Sequence, residues 1–424
     1  MINTEINKKI AVIGSGVAGI CAAHLLSKKH AVTLFEAEER IGGHTNTIET
    51  IDENNNPIAI DTGFIVCNTK NYPNFHKFLR SLNVPVRNSD MSFGYYDTIS
   101  KFTYAGTTIN GLFADRKNLF SPNFWSFLFE IKNFCQQGLR NLQNKNLSQS
   151  QTVEEYFKRY SYTDKLLQHY ISPMAGSIWS ASGASIKTFP ILTLLSFFYN
   201  HGLLSIKNRP QWQTVIGGSY SYLKAFEKQF NGTIIKSSTV NSVIRDSNSV
   251  KIFTKTNEYE FDNVIMAVHA DQVLNILKDA STEEQKAFSP WVYELNDTYL
   301  HFDESFLPPN KRAWASWNYI RDERISDSHV SITYHMNRLQ GLRCKRNFCV
   351  TLNPSRLPDK NKTICRIEYT HPQFTTDTLK TQSIFPTLQG QQNSYFCGSY
   401  QGYGFHEDAV TSAVNVAKHF SIDL

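Results

Sequence analysis

Two short apolar runs open the chain, Lys9-Ile-Ala-Val-Ile13 and Val32-Thr-Leu-Phe35, with a helix-spaced stretch between them. Gly14, Gly16 and Gly19 stand where the first run ends, and Glu36 closes the second. That order predicts a βαβ unit shaped to hold a dinucleotide. Gly14 permits a tight turn, Gly16 lets backbone approach a pyrophosphate, and Gly19 lets the helix pack close to the strand. The helix N-terminus then offers N–H groups and a positive dipole end to phosphates. Glu36 stands where a carboxylate accepts hydrogen bonds from a ribose diol, and its charge disfavours a 2′-phosphate.

The pattern beyond this unit alternates between sheet and helix. Ile58 to Asp61 reads as a strand, and Tyr72 to Leu82 has helical apolar spacing. Residues 91–109 alternate as antiparallel strands do, with Phe93, Tyr95, Phe102 and Tyr104 among them. From 122 to 200 the chain reads helical. Phe124 to Phe134 is apolar over a broad face, and Thr152 with Glu155 forms a capping box. Breaks are expected at Ser172-Pro173 and Phe189-Pro190. Strands return after 213, around a helix at 222–230. The run from 262 to 269 is almost wholly apolar, as for a strand buried on both faces. Residues 275–375 read as mixed and strand-rich. A final strand at Tyr395 leads through an aromatic, glycine-rich loop into a helix from Glu407 to Ala417, with acids in its first turn. Dinucleotide-type elements thus lie at the start, middle and end. This predicts an α/β protein with one discontinuous unit (1–66, 210–272 and 376–424) and an inserted α+β substrate or cap unit (67–209 and 273–375).

Composition narrows the picture only a little. The 424 residues can bury a large core, and 41% hydrophobic with 19% charged residues is ordinary for a folded chain. The aromatic share of 13% favours an aromatic-lined interior or cavity. A formal charge of +6 without any basic run argues against nucleic acid as partner, and suits an anionic membrane surface or an acidic substrate. Seven scattered cysteines without a CxxC argue against a disulfide framework or a zinc site, and no metal is expected. Reduced thiols in a cytoplasmic setting are the simplest reading. The N-terminal run does not read as a signal peptide, and the longest apolar stretch, Phe189 to Leu204, is broken by Pro190, Asn200 and His201.

Taken together, Gly14-Ser15-Gly16 with Gly19, Glu36, Arg40-Ile-Gly42-Gly43, the strand ending at Ala267 and the strand-to-helix step at Gly398 resemble one family. It is the flavin-containing amine oxidase and phytoene-desaturase superfamily, whose FAD domain is of the glutathione-reductase, Rossmann-like type. The resemblance implies a pyrophosphate at Gly14, Ser15, Gly16 and Gly19, the adenosine ribose at Glu36, and Arg40 along the pyrophosphate side. It places Gly42, Gly43 and His44 toward the ribityl and flavin, and Gly63 and Phe64 toward the isoalloxazine. Val240 would offer backbone to adenine, and Gly398, Glu407, Asp408 and Ala409 would close the flavin end. Glu407 and Asp408 also suit simple complementarity to the helix dipole. His44 stands where the family commonly has arginine. No cysteine falls in Gly398–His406, which implies non-covalent FAD, and no lysine can be assigned to a place beside flavin N5.

A finer resemblance is to a bacterial, NAD/FAD-binding, amine-oxidase-like branch associated with fatty-acid modification. It rests on Asp61-Thr-Gly-Phe64, Ser177-Ile-Trp179-Ser180, Asn200-His201-Gly202, Arg209-Pro-Gln-Trp212, Gly217-Gly218-Ser219, Ala267-Val-His269 and Gly402 to Asp408. It implies hydride transfer from an apolar acyl substrate to FAD, a dehydrogenation or desaturation, by an enzyme soluble or peripheral at the inner membrane surface. His406 is the candidate acid/base, its alternative being a structural histidine. Amine oxidation and a non-catalytic, FAD-stabilised lipid-binding role are the rival functions. Substrate, electron acceptor and oligomeric state are not legible.

Overall fold

The N-terminal runs pair in parallel, and three distant segments join them. In the computed structural model, which describes residues 7–106, 108–148, 150–179, 183–205, 209–322 and 331–424, the sheet order is Thr233–Ile235, Ala31–Phe35, Lys9–Ile13, Asn263–Met266, Ser394–Phe396. All neighbours are parallel. Residues 1–6 and Ser180, both used in the sequence reading, lie outside the described residues. Helix Val17–Leu26 is buried at every position, wedged between this sheet and helix His406–Lys418. Such close packing demands a glycine: a Cβ on Gly19 would collide with the Gly14 carbonyl oxygen.

A three-stranded antiparallel sheet, Val240–Arg245, Val250–Thr254 and Glu258–Phe261, covers the opposite face of the parallel sheet. The fully buried Arg245 guanidinium ties it to helix Thr282–Phe288 by a fork onto Glu284, at 2.5 and 2.9 Å.

The second large sheet has seven strands in the order Thr363–Pro372, Tyr293–His301, Cys349–Leu352, Ile332–His335, Trp317–Arg321, Phe93–Asp97, Thr103–Ala105. Trp317–Arg321 and Phe93–Asp97 run parallel, and the other pairs antiparallel. The expected alternation at 91–109 is thus a hairpin inside a larger sheet. A short sheet of Cys67–Asn68, Trp212–Val215 and Val86–Asn88 joins segments far apart in sequence.

The helical stretch follows the pattern with one correction. The Thr152–Glu155 capping box is present, and the chain breaks between Thr188 and Ile191 at Pro190. No break occurs at Ser172-Pro173. A π turn over Leu167–Ile171 runs straight into helix Ser172–Trp179. Widening that turn accommodates a residue that lacks an N–H and would clash in a regular helix. Among the described residues no helix is long and apolar enough to cross a membrane.

Candidate active site

One continuous cavity of about 840 Å³ lies at the C-terminal ends of the parallel strands and extends against the seven-stranded sheet. Its first part is the glycine loop. Gly14 has φ +95°, and a Cβ there would stand 2.7 Å from the Ala267 carbonyl oxygen. Gly16 caps the helix without any side-chain bond, and no acid sits in the first helical turn. A Cβ on Gly16 would meet nothing within 4 Å. Empty space thus lies in front of an uncapped positive helix end.

Ser15 knits this loop to its neighbours. Its backbone N–H donates to the Glu36 carboxylate at 3.0 Å, its hydroxyl donates to the same oxygen, and its carbonyl accepts the Gly42 N–H at 3.0 Å. Gly42 and Gly43 both hold positive φ, which brings the Gly43 turn close against Gly16. Val240 lines the cavity near Glu36.

The opposite wall carries histidines. His44 stacks on Tyr369 with ring centroids 5.0 Å apart and lies 5.3 Å from His371 and 5.9 Å from His269. Burial and then its histidine neighbour lower His44 to about 4, His269 to about 4 and His371 to about 3. All three are therefore neutral. His44 Nε2 and His371 Nδ1 are buried atoms of the cavity wall with no protein partner.

His406 opens the last helix. Its ring stacks on Phe64 at 3.7 Å, and Nε2 lies 3.2 Å from Thr45 Oγ1 and 3.5 Å from the Tyr222 hydroxyl. Burial and then His44 lower it to about 3. Gly398 and Ala409 complete this end, with the Gly398 N–H on Ser412 Oγ at 2.9 Å. Gly63 also lines the cavity, packed where a Cβ would strike the His44 carbonyl.

Thirteen of the expected residues thus share one cavity, and four stand outside its wall. Gly19 works one layer behind, at the helix–strand contact. Arg40 turns away and clamps the glycine turn, donating to the Gly43 carbonyl at 2.9 Å and the Thr45 carbonyl at 3.3 Å. Glu407 accepts the N–H groups of Asn74 and Phe75 at 3.0 and 2.9 Å, capping helix Pro73–Ser81. Asp408 accepts those of Tyr403 and Phe405 at 3.0 and 2.9 Å, and burial raises its carboxyl to about 6. Both acids serve backbone, as the dipole reading allowed.

The sequence reading missed Tyr369 and His371. Their spacing of two in strand Thr363–Pro372 puts them on one face, but that signal is common to every strand. His269, like His201, was expected only as a weaker acid/base candidate than His406, and both line the cavity.

Beyond the histidines the cavity becomes an apolar limb walled by Tyr104, Tyr170, Met174, Trp179, Phe197 and Phe405, among others. Among the described lining residues the only carboxylates are Glu36 and Glu38, at the glycine-loop end. The only lysine or arginine among them is Arg209, whose Nε donates to the Ser205 carbonyl at 2.8 Å.

A glycine loop at an uncapped helix end, opening into an aromatic cavity, is the arrangement of a dinucleotide-dependent oxidoreductase. Residues 17–342 match the family model for flavin containing amine oxidoreductases, and the chain belongs to that family. Protoporphyrinogen oxidase of Saccharomyces cerevisiae is 41% identical over 58 residues, 13% of this chain and 11% of that protein. An L-amino-acid oxidase of Pseudechis australis is 51% identical over 41 residues, 9% and 8% of the two chains. These alignments span about a tenth of each relative.

Solved structures match along almost the whole chain. A CLA-producing fatty acid isomerase from P. acnes superposes with TM-score 0.69 at 14% identity, covering 99% of this chain and 100% of that one. Putrescine oxidase bound to putrescine gives 0.71 at 12% identity, covering 98% and 99%. The fold is accordingly that of the FAD-dependent amine oxidases.

The cavity fits the family's flavin dinucleotide. It has an open cradle at Gly16, an uncapped helix end, a carboxylate at the second strand's tip, and unpartnered histidine nitrogens further along.

Proposed function

We propose that this protein is an FAD-dependent oxidoreductase that dehydrogenates an apolar, acyl-chain substrate, with the cofactor held non-covalently. The observation that carries this reading is the continuity of the cradle with a deep aromatic limb whose described lining holds no carboxylate. When bound, FAD supplies the hydride acceptor. The chain's own groups do the rest. Ser15, Gly16 and the helix end bind the pyrophosphate, and Glu36 holds the ribose. The neutral histidines offer hydrogen bonds without adding charge. The limb excludes water and aligns a long apolar chain, and Arg209 stands ready for a carboxylate head group.

Of the two readings of His406, the geometry favours the structural one. A ring held near pKa 3 is a feeble base at neutral pH. Its contacts with Phe64 and Thr45 fix the cavity wall.

Non-covalent attachment is supported by Cys397, the cysteine next to the flavin-end loop. Its thiol is fully buried, lies outside the cavity lining, and is pushed up by burial to about 12.

The test is the visible spectrum of the purified protein followed by denaturation and anaerobic titration. Flavin peaks, release of free FAD, and bleaching by unsaturated fatty acids or acyl phospholipids are the expected results. The second reading, amine oxidation, is favoured by the family itself. Peroxide production with amines and no bleaching by acyl chains would replace our reading with that one. Flavin that stays oxidised with every donor would indicate the non-catalytic, lipid-binding role.

A further inference from the structure

Most exposed large hydrophobic side chains on this protein stand alone, as is usual. One group does not. Ile109, Leu119, Phe120, Trp125 and Phe129 all fall within 109–129, and they are 79%, 40%, 88%, 41% and 64% exposed. Phe120 ends the short turn Arg116–Phe120, and Trp125 and Phe129 lie one turn apart on helix Pro122–Gln143. Contacts link three of them, Leu119, Trp125 and Phe129. The Trp125 indole N–H donates to the Leu119 carbonyl at 3.0 Å, and the Trp125 ring is 6.5 Å from Phe129. The inner side of the same helix is fully spent on packing, through Phe124, Phe127 and Phe134. Phe120 and Phe129 are thus surplus to the core and aimed at solvent, while Trp125 rests on the buried Phe113 with ring centroids 5.4 Å apart and leaves its outer part exposed.

The turn that ends at Phe120 also borders, through Arg116 and Lys117, an open hollow of about 470 Å³. Lys101, Arg116, Lys117 and Arg312 stand around it with one carboxylate, Asp115. Asp115 caps the Arg116–Phe120 turn, accepting the Lys117 N–H at 3.0 Å. The Arg116 guanidinium donates to the Phe113 carbonyl at 3.0 Å and to Asn110, and the Lys101 ammonium donates to the Thr98 carbonyl at 2.6 Å, so the excess positive charge of the hollow stays unneutralised. An apolar wedge next to a cationic hollow matches acyl chains beside anionic headgroups.

We infer that this face docks the protein on an anionic phospholipid surface. Phe120, Trp125 and Phe129 enter the acyl boundary while Lys101, Arg116, Lys117 and Arg312 meet headgroup phosphates. The placement goes beyond the reaction proposed above and is independent of it. It also suits that reaction, because strand Thr103–Ala105 presents Thr103 to the hollow and Tyr104 to the cavity.

Co-sedimentation of the flavin-loaded protein with vesicles tests this. Vesicles of phosphatidylcholine alone are compared with vesicles containing phosphatidylglycerol, without any turnover assay. The protein is expected to bind only the anionic vesicles and to leave them at high salt. Phe120→Glu is expected to weaken binding at least about tenfold. Lys101→Ala with Lys117→Ala is expected to weaken it about tenfold or more. Because these side chains are exposed, thermal unfolding of the variants should match the parent. Failure of the parent to bind either vesicle overturns the inference, as does equal binding by Phe120→Glu. A loss of self-association in Phe120→Glu without vesicle binding would make the patch an interface between copies and overturn it too.

Discussion

Two glycines of the loop that opens the first helix separate fold from function at the scale of single atoms. A methyl group on Gly19 has no room, because the Gly14 carbonyl occupies its place. Gly19→Ala should therefore destabilise the protein whether or not flavin is present, by at least about 2 kcal/mol, as overpacked sites do. A methyl group on Gly16 meets only the cavity, and its φ of −61° suits any residue. Gly16→Ala should leave the melting temperature of the flavin-free protein nearly unchanged and weaken flavin binding at least about tenfold. Melting curves with and without added FAD distinguish the two. Equal behaviour of both variants would show that the loop does not divide its work in this way. The sequence made the glycine pattern legible because each position answers to a steric rule. Arg40, expected along the pyrophosphate side, braces the glycine turn instead, because a long side chain near such a loop can face a ligand or the loop and residue type is the same in both cases.

Elements with a local stop signal were legible, and those set by distant partners were not. The capping box at Thr152 and the break at Pro190 are decided within a few residues. Pro173 misled because helix continuity there depends on the π turn before it. The acids at 407 and 408 were readable as a helix start. Their partners were not, since Asn74 and Phe75 lie 333 and 332 residues away from Glu407. Glu407 is thus the clasp between helices Pro73–Ser81 and His406–Lys418. Burial raises its carboxyl somewhat, against the pull of those two N–H donors. Glu407→Ala removes the acceptor for both and should cost about 1–3 kcal/mol. Glu407→Gln keeps one carbonyl acceptor and should recover part of that. Hydrogen exchange at Asn74 and Phe75 should rise most in the alanine variant. Unchanged exchange there would show that the cap contributes little.

At the scale of the molecule, the distribution of histidines governs the response to acid. Ten of the chain's 13 histidines are held below their ordinary value, chiefly by burial. Five of them, His44, His201, His269, His371 and His406, line the cavity. Each is neutral in the fold and gains a proton once unfolded near pH 6.5. Below that pH the unfolded chain binds more protons, so stability falls as pH falls, by up to about 1.4 kcal/mol per pH unit for each group. Asp61 and Asp408 act in the opposite direction. Burial raises both to about 6, so the fold takes up their protons first and gains stability as pH drops from about 6 toward 4. Asp271 and Glu407 are raised in the same direction, but four carboxyls cannot offset ten imidazoles. The melting temperature should therefore decline steeply from about pH 6.5 downward, well above the range where acid unfolding follows carboxylate protonation alone. Bound FAD should moderate the decline by stabilising the fold at every pH, because it binds only the folded chain. His371→Gln and His269→Gln, each removing one buried imidazole, should flatten the slope by about one proton equivalent apiece. A melting temperature that stays level between pH 7.5 and 5.5 would mean that these histidines accept protons without leaving the fold, and hence that the cavity wall is open to water.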